Sequence, residues 1–259
     1  MNSKVYFVFI IYKLGIKELR LINLLSKNVI LVDNSGLKDN PYKKQGINVV
    51  SNGVNFGFGG GANVGIKLAL ERGADWVSVM NQDLGLSKKA FDNLTKTIIS
   101  QKPGIVGPFA GELDKNRWTT ILPAMKVNYI SGACMAIHRN VIEKIGFFYD
   151  PYFMYYEDVD YCIRAQRAGF PLVRFETSGI SHEDSPTLGK GSYLHQYYLA
   201  RNHLLFVERQ APLSIKLYEY LRLPISMSEC FMADKKGTFT GLSDYLLRKF
   251  GEKSYDHRG

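Results

Sequence analysis

With 259 residues, 46% hydrophobic and 22% charged, the chain is long enough for one large α/β domain, alone or with a helical extension, a division favoured over two full domains. Thirty-three basic against 24 acidic residues give a net charge of +9, which suits an anionic ligand such as a nucleotide diphosphate or a phospholipid surface. No zinc-finger spacing and no dense Lys/Arg block interleaved with aromatics is present, so nucleic acid is set aside as a partner.

Residues 5–12 form an apolar run after Lys4, too short to span a bilayer and followed by no small-residue cleavage site, so it reads as a buried first strand rather than a signal core. The expected location is therefore the cytoplasm or the cytoplasmic face of a membrane. Cys134, Cys162 and Cys230, odd in number and far apart, fit a reducing compartment. A helix is predicted over 17–26, a second strand over 29–32 closed by Asp33-Asn34-Ser35-Gly36, and a third strand over 47–50. A helix over 62–72 and a fourth strand over 76–80, running into Asn81-Gln82-Asp83, continue the alternation that implies a parallel sheet. Ser87 caps a helix whose Phe91, Leu94 and Ile98 share one face. Later strands are expected at 105–106, 129–130, 133–137 and 172–175. Beyond about residue 190 the pattern is helical, over 193–207 and 213–232, with a mixed polar tail past Lys235.

Four segments carry chemistry. Between the third strand and the helix lies Asn55-Phe56-Gly57-Phe58-Gly59-Gly60-Gly61-Ala62-Asn63, whose backbone can approach a ligand closely and turn free N–H groups toward an anion. Gly57, Gly59 and Ala62 also match the G-x-G-x-x-A dinucleotide fingerprint, although two strands come before it. Asp33 and Asp83 both end strands, where open parallel sheets bind ligands; either could instead be a turn residue. Glu157, Asp158 and Asp160 fall where the aromatic run Phe153-Met154-Tyr155-Tyr156 meets a helix ending by Gly169. Asp158 there is either a helix cap or a carboxylate at the floor of a pocket. His182 becomes a metal ligand only if the fold brings it beside Asp83.

Together these motifs, with Val32-Asp33-Asn34-Ser35, Ser131-Gly132-Ala133, Arg167-Ala168-Gly169, Tyr197-Tyr198 and Arg201-Asn202, resemble the inverting glycosyltransferases of family 2, in their bacterial rhamnosyltransferase-like branch. The resemblance covers roughly residues 4–207. It implies a GT-A domain over residues 1–207, an α/β Rossmann-like mixed sheet with flanking helices, followed by a helical C-terminal extension over 208–259. It further implies Asp158 as catalytic base, and donor contacts from Tyr12, Asp33, Asn55, Gly57, Gly60, Asn63, Asn81, Gln82 and Asp83. Gly132, Ala133, Tyr156, Glu157 and Arg201 would shape the acceptor pocket, and Asp83 with His182 would hold a divalent Mg2+ or Mn2+ ion. Two positions depart from the family pattern: Asn81 stands for the first acid of the D-x-D-type motif, and Ile11-Tyr12-Lys13 replaces Thr-Tyr-Asn.

The implied partners are a dTDP- or UDP-sugar donor, rhamnose favoured, and a glycan or polyprenyl-lipid-linked acceptor in cell-surface polysaccharide synthesis. Two rival readings are an NAD-dependent oxidoreductase, from the fingerprint match, and a nucleotide- or glycan-binding protein of the same fold without turnover. In the second C-terminal helix Leu213, Leu217, Tyr220, Leu221 and Ile225 share a face, with Lys216 and Arg222 off it; such a face serves core, a homodimer contact or a membrane surface.

Overall fold

The apolar run near the N-terminus becomes strand β1 (Val5–Ile11), buried along its whole length. Its alternating side chains divide between two cores: Tyr6, Val8 and Ile10 face one side, Val5, Phe7, Phe9 and Ile11 the other. A strand buried on both faces belongs in the interior of a sheet covered by helices, and β1 is such an interior strand. The computed structural model describes residues 3–13, 15, 22, 28–37, 49–51, 53–121, 124–176, 178–182, 189 and 191–253. The helix expected over 17–26 falls outside the described residues except for Ile22, as do residues 47 and 48 of the third strand.

The other strands are β2 (Val29–Asp33), β3 (Val49–Ser51), β4 (Trp76–Asn81), β5 (Leu84–Leu86), β6 (Ile105–Gly107), β7 (Ala110–Leu113), β8 (Thr120–Ile121), β9 (Tyr129–Ile130), β10 (Cys134–His138), β11 (Leu172–Arg174) and β12 (Ile180–His182). A seven-stranded sheet runs β11-β6-β10-β4-β1-β2-β3, and β10 lies antiparallel between β4 and β6. The sheet is thus mixed, as the resemblance implied. Ile11 pairs with Asp33 and Ile10 with Asn81, so the carboxyl ends of β2 and β4 flank the end of β1 at one level. Strand β5 pairs antiparallel with β12, a two-stranded ribbon that the sequence pattern did not reveal.

Helix α1 (Gly57–Glu71) covers one face of the sheet, and its Gly65 allows close approach: a Cβ there would lie 2.1 Å from Val8 Cγ1. It starts five residues earlier than expected, so the glycine-rich segment forms its first turns rather than a loop before it. On the other face α2 (Lys88–Ile99) buries Phe91, Leu94 and Ile98, with Ser87 accepting a bond from Ala90 N–H as its cap. Helices α3 (Arg139–Ile145) and α4 (Glu157–Arg167) follow, then α5 (Tyr193–Gln210), α6 (Leu213–Met232) and α7 (Lys236–Leu246). The boundary expected at residue 207 falls inside α5. Helix α7 packs back along α5, where the backbones meet at Gly237 and Gly241; a Cβ on either would lie 2.4 Å from a carbonyl of α5.

Candidate active site

The strand ends, the start of α1, the loop before α4 and the segment after α7 enclose a cavity of about 660 Å3. One wall comes from the sheet. Tyr12 N–H donates to Gln82 Oε1 (2.6 Å), joining the ends of β1 and β4. Asn34, just after β2, accepts from Phe56 N–H (3.0 Å) and donates to Gly57 O (2.6 Å), which fixes the entry into α1. Asn34 lines the cavity, whereas Asp33 is buried and accepts from Ser35 N–H (2.9 Å) in the turn. Asn34 was missed by reading the strand-end acid alone, though it sits beside that acid in the same turn.

The glycine-rich segment is partly cavity and partly framework. Asn55 and Gly57 line the cavity. Gly57 has φ +70° and a Cβ on it would lie 2.0 Å from Phe153 O, so only glycine fits. Asn63 lies outside the lining and clamps Phe148, accepting from its N–H and donating to its carbonyl, and also donates to Asp150. Gly60, likewise outside it, lets Phe56 fold over the helix. The first N–H groups of α1 are already engaged, Gly57 N–H by Asn55 Oδ1 (2.9 Å) and Phe58 N–H by Phe153 O (2.7 Å). A dinucleotide fingerprint offers those groups to a pyrophosphate, so the NAD reading loses its physical support.

The β5–β12 ribbon supplies the opposite corner. It sets His182 across from Leu84, with His182 Nε2 3.4 Å from Asp83 Oδ1 and 3.2 Å from Asn81 Nδ2. Spacing along the chain could not show this juxtaposition. Among the described residues no cluster of three His, Cys, Asp or Glu ligands forms. One carboxylate, one imidazole and a neighbouring amide suit a hard divalent ion that keeps water and substrate phosphate oxygens as its remaining ligands.

The floor is the aromatic-acid segment. Phe153, Tyr155 and Tyr156 have φ of +66°, +66° and +73°, left-handed values that non-glycine residues adopt only under constraint. The constraint comes from α5. Asn202 Nδ2 donates to the carbonyls of Tyr152 (2.8 Å), Met154 (2.6 Å) and Tyr155 (3.1 Å), and Arg201 donates to Tyr152 O (2.8 Å) and Gly251 O (2.8 Å). Arg201 is fully buried and does not line the cavity; it braces the loop that does.

The three acids of that segment divide by environment. Asp160 is a structural charge, met by Arg164 (2.8 Å), Arg209 (3.1 Å) and Gln210 (2.7 Å). Asp158 and Glu157 line the cavity. Asp158 is the second residue of α4, not its cap: the cap position is Tyr156, which makes no side-chain cap bond. Instead Asp158 Oδ2 accepts from Gly132 N–H (2.8 Å) and Oδ1 from Val159 N–H (2.8 Å). Burial raises the Asp158 carboxyl, and these N–H bonds pull against it. Gly132 is needed for this approach, since a Cβ on it would lie 2.8 Å from the Phe58 ring and 3.6 Å from Asp158 Cβ.

The last wall is mainly apolar, with one acid and one lysine. Met154, Tyr155, Leu194, Tyr198 and Leu199 line it, with Glu252 and Lys253 from the segment after α7. Tyr198 hydroxyl accepts from Lys253 N–H (2.8 Å), and Lys253 Nζ pairs with Asp244 (2.7 Å). The polar tail gave no periodic signal by which these contributions could be found.

No family model matches the chain. It is 27% identical over 224 residues to the low-salt glycan biosynthesis hexosyltransferase Agl10 of Haloferax volcanii, covering 77% of this chain and 73% of that one. It is 25% identical over 223 residues to an N-acetylglucosaminyl-diphospho-decaprenol L-rhamnosyltransferase of Mycobacterium tuberculosis (68% and 72% covered). To the dTDP-rhamnosyl transferase RfbF of Shigella flexneri it is 24% identical over 255 residues (85% and 85%). Among solved structures it superposes on the mannosyltransferase PcManGT of Pyrobaculum calidifontis, in complex with GDP-Man and Mn2+, with a TM-score of 0.55 at 13% identity (96% and 75% covered). The S. aureus TarS 1-349 complex with UDP-GlcNAc gives the same score and identity (94% and 81%).

Proposed function

The chain is related to glycosyltransferases and has their GT-A fold, and from that premise we propose an inverting enzyme of family 2. It transfers a sugar, rhamnose favoured, from a dTDP- or UDP-sugar to a glycan or polyprenyl-lipid-linked acceptor in cell-surface polysaccharide synthesis. The observation that carries the reading is Asp158: a carboxylate oriented by Gly132 and Val159 N–H groups on the floor of a cavity whose far corner holds Asp83 and His182. Two rhamnosyltransferases among the relatives support the sugar. The diphospho-decaprenol in one relative's name and the apolar wall at Met154, Leu194 and Leu199 support a lipid-linked acceptor.

Asp158 accepts the proton of the acceptor hydroxyl as that oxygen attacks the anomeric carbon from the face opposite the leaving nucleotide, and a single displacement inverts the centre. Its N–H partners fix the carboxylate in place, while burial keeps it basic enough to take the proton. Asp83 and His182 would hold the divalent ion, which when bound neutralises charge on the leaving diphosphate. Asn81 at the first position of that motif leaves the protein one anionic ligand there, so the ion depends more on the donor phosphates. The cytoplasmic face of a membrane is the proposed location. Among the described residues no helix is long and apolar enough to cross a membrane.

A panel of nucleotide sugars, scored by thermal shift with and without manganese and then by transfer, tests the reading. One dTDP- or UDP-sugar should stabilise the fold and be turned over, and Asp158→Asn should bind it yet transfer roughly 10²- to 10⁴-fold more slowly. Near wild-type transfer by that variant removes Asp158 from the mechanism. Donor binding without turnover by the native chain would favour a non-catalytic binding protein.

A further inference from the structure

Glu157 is the one buried cavity carboxylate to which the proposed mechanism gives no task. It is the first residue of α4, directly after the left-handed Tyr156, and its Cβ and Cγ lie against Gly59 of α1, beside Phe148. Its Oε2 is buried and has no hydrogen-bond partner, and among the described residues no ion pair reaches it. Among the described residues the groups facing it offer no cation. On its own helix stands Asp158; from the preceding loop comes Tyr155, whose phenol is pushed up to about 12 by burial and by Glu157; α1 and the Phe148 segment contribute uncharged Gly59 and Phe148.

Two adjacent carboxylates sit, therefore, in a desolvated helix start with N–H donors enough for one. Asp158 takes the Gly132 and Val159 N–H groups, while Glu157 is met by its own N–H alone. We propose that Glu157 is the neutral member of this pair: it keeps the proton so that Asp158 alone carries the charge, and its ionisation at alkaline pH switches the site off. This rests on the assignment of Asp158 as base. Burial and the Asp158 charge push the Glu157 carboxyl up to about 8, in keeping with the geometry. Glu157 acts here as a positioning residue. A second buried negative charge would be uncompensated beside the first, displacing the carboxylate that must meet the acceptor hydroxyl.

The test compares the native chain with Glu157→Gln, an isosteric residue that cannot ionise, and with Glu157→Ala. Each transfer rate is normalised to the same protein's value at pH 7, and melting is followed from pH 5 to 9.5. Transfer by the native chain should fall tenfold per pH unit above about 8, hence roughly 30-fold by pH 9.5, whereas the glutamine variant should stay level within about threefold. Glutamine should also raise the melting temperature by about 5 °C or more at pH 9 and have little effect at pH 5. Parallel rate profiles, or equal melting of the two proteins at pH 9, overturn the proposal. If no donor supports transfer, the glycosyltransferase reading fails on its own, and the melting comparison still decides whether Glu157 holds the proton.

Discussion

Replacing Asn202 with alanine removes a side chain that touches no cavity space, yet the structure makes it costly. Its amide donates to Tyr152 O, Met154 O and Tyr155 O, three carbonyls within four residues. Tyr152 O keeps its bond from Arg201, so two carbonyls lose their donor. At about 1 to 1.5 kcal/mol each, the direct loss is about 2 to 3 kcal/mol. The loop also stores strain at Phe153, Tyr155 and Tyr156, about 1 to 3 kcal/mol apiece, which persists only while its surroundings enforce it. Without Asn202 the loop should relax toward ordinary backbone angles, returning part of that strain and shifting the start of α4. A displacement of about 1 Å at Asp158 is enough to slow transfer about 100-fold. Urea denaturation and transfer assays on Asn202→Ala measure both effects. Stability within about 0.5 kcal/mol of the native chain, together with full transfer, would refute the clamp.

At the start of α1, Gly57→Ala should fold poorly, because its Cβ meets Phe153 O at 2.0 Å, while Gly73→Ala, also at positive φ but with open space around it, should cost only about 1 kcal/mol; melting curves rank the two. Chelation should abolish transfer and manganese or magnesium restore it, with Asp83→Asn and His182→Ala needing more metal; full activity in excess chelator would sink the metal role. Helix α6 buries only Glu219, Leu223 and Cys230, leaving Leu213, Leu217, Leu221, Ile225 and Phe231 exposed, Leu221 and Phe231 at 78% each, with Lys235 and Lys236 just beyond its end. Such a stripe should bind anionic liposomes in a salt-sensitive way, and Leu217→Glu with Leu221→Glu should cut sedimentation at least tenfold, each buried leucine being worth about 1.5 to 3 kcal/mol. Unchanged sedimentation would leave the face to a subunit contact, which analytical ultracentrifugation would detect as loss of a dimer in the same variants.

Local pattern was enough to locate β1, β2 and β4 by their apolar runs, α2 by its serine cap and spaced apolar face, and α4 by its acids and terminal glycine, because each is written in consecutive side chains. The order of motifs singled out Asp158, Asp83, Asn55 and Gly57, which line one cavity, together with Gly60 and Asn63, which do not. The start of α1 was misread, since four glycines and two phenylalanines lack helical periodicity; what holds them helical is Asn34, Asn55 and the Phe153 carbonyl, two of them far along the chain. His182 stands 101 residues from Asn81, and only the pairing of β5 with β12 brings the two together. Arg201 and Asn202 belong by sequence to the same motif family as the cavity residues, but the tertiary structure turns both inward as braces and brings Glu252 and Lys253 to the cavity wall. Periodicity reports which side of an element avoids water. Which distant element lies on that side is decided by sheet pairing and helix packing, whose contacts leave no mark on neighbouring residues in the chain.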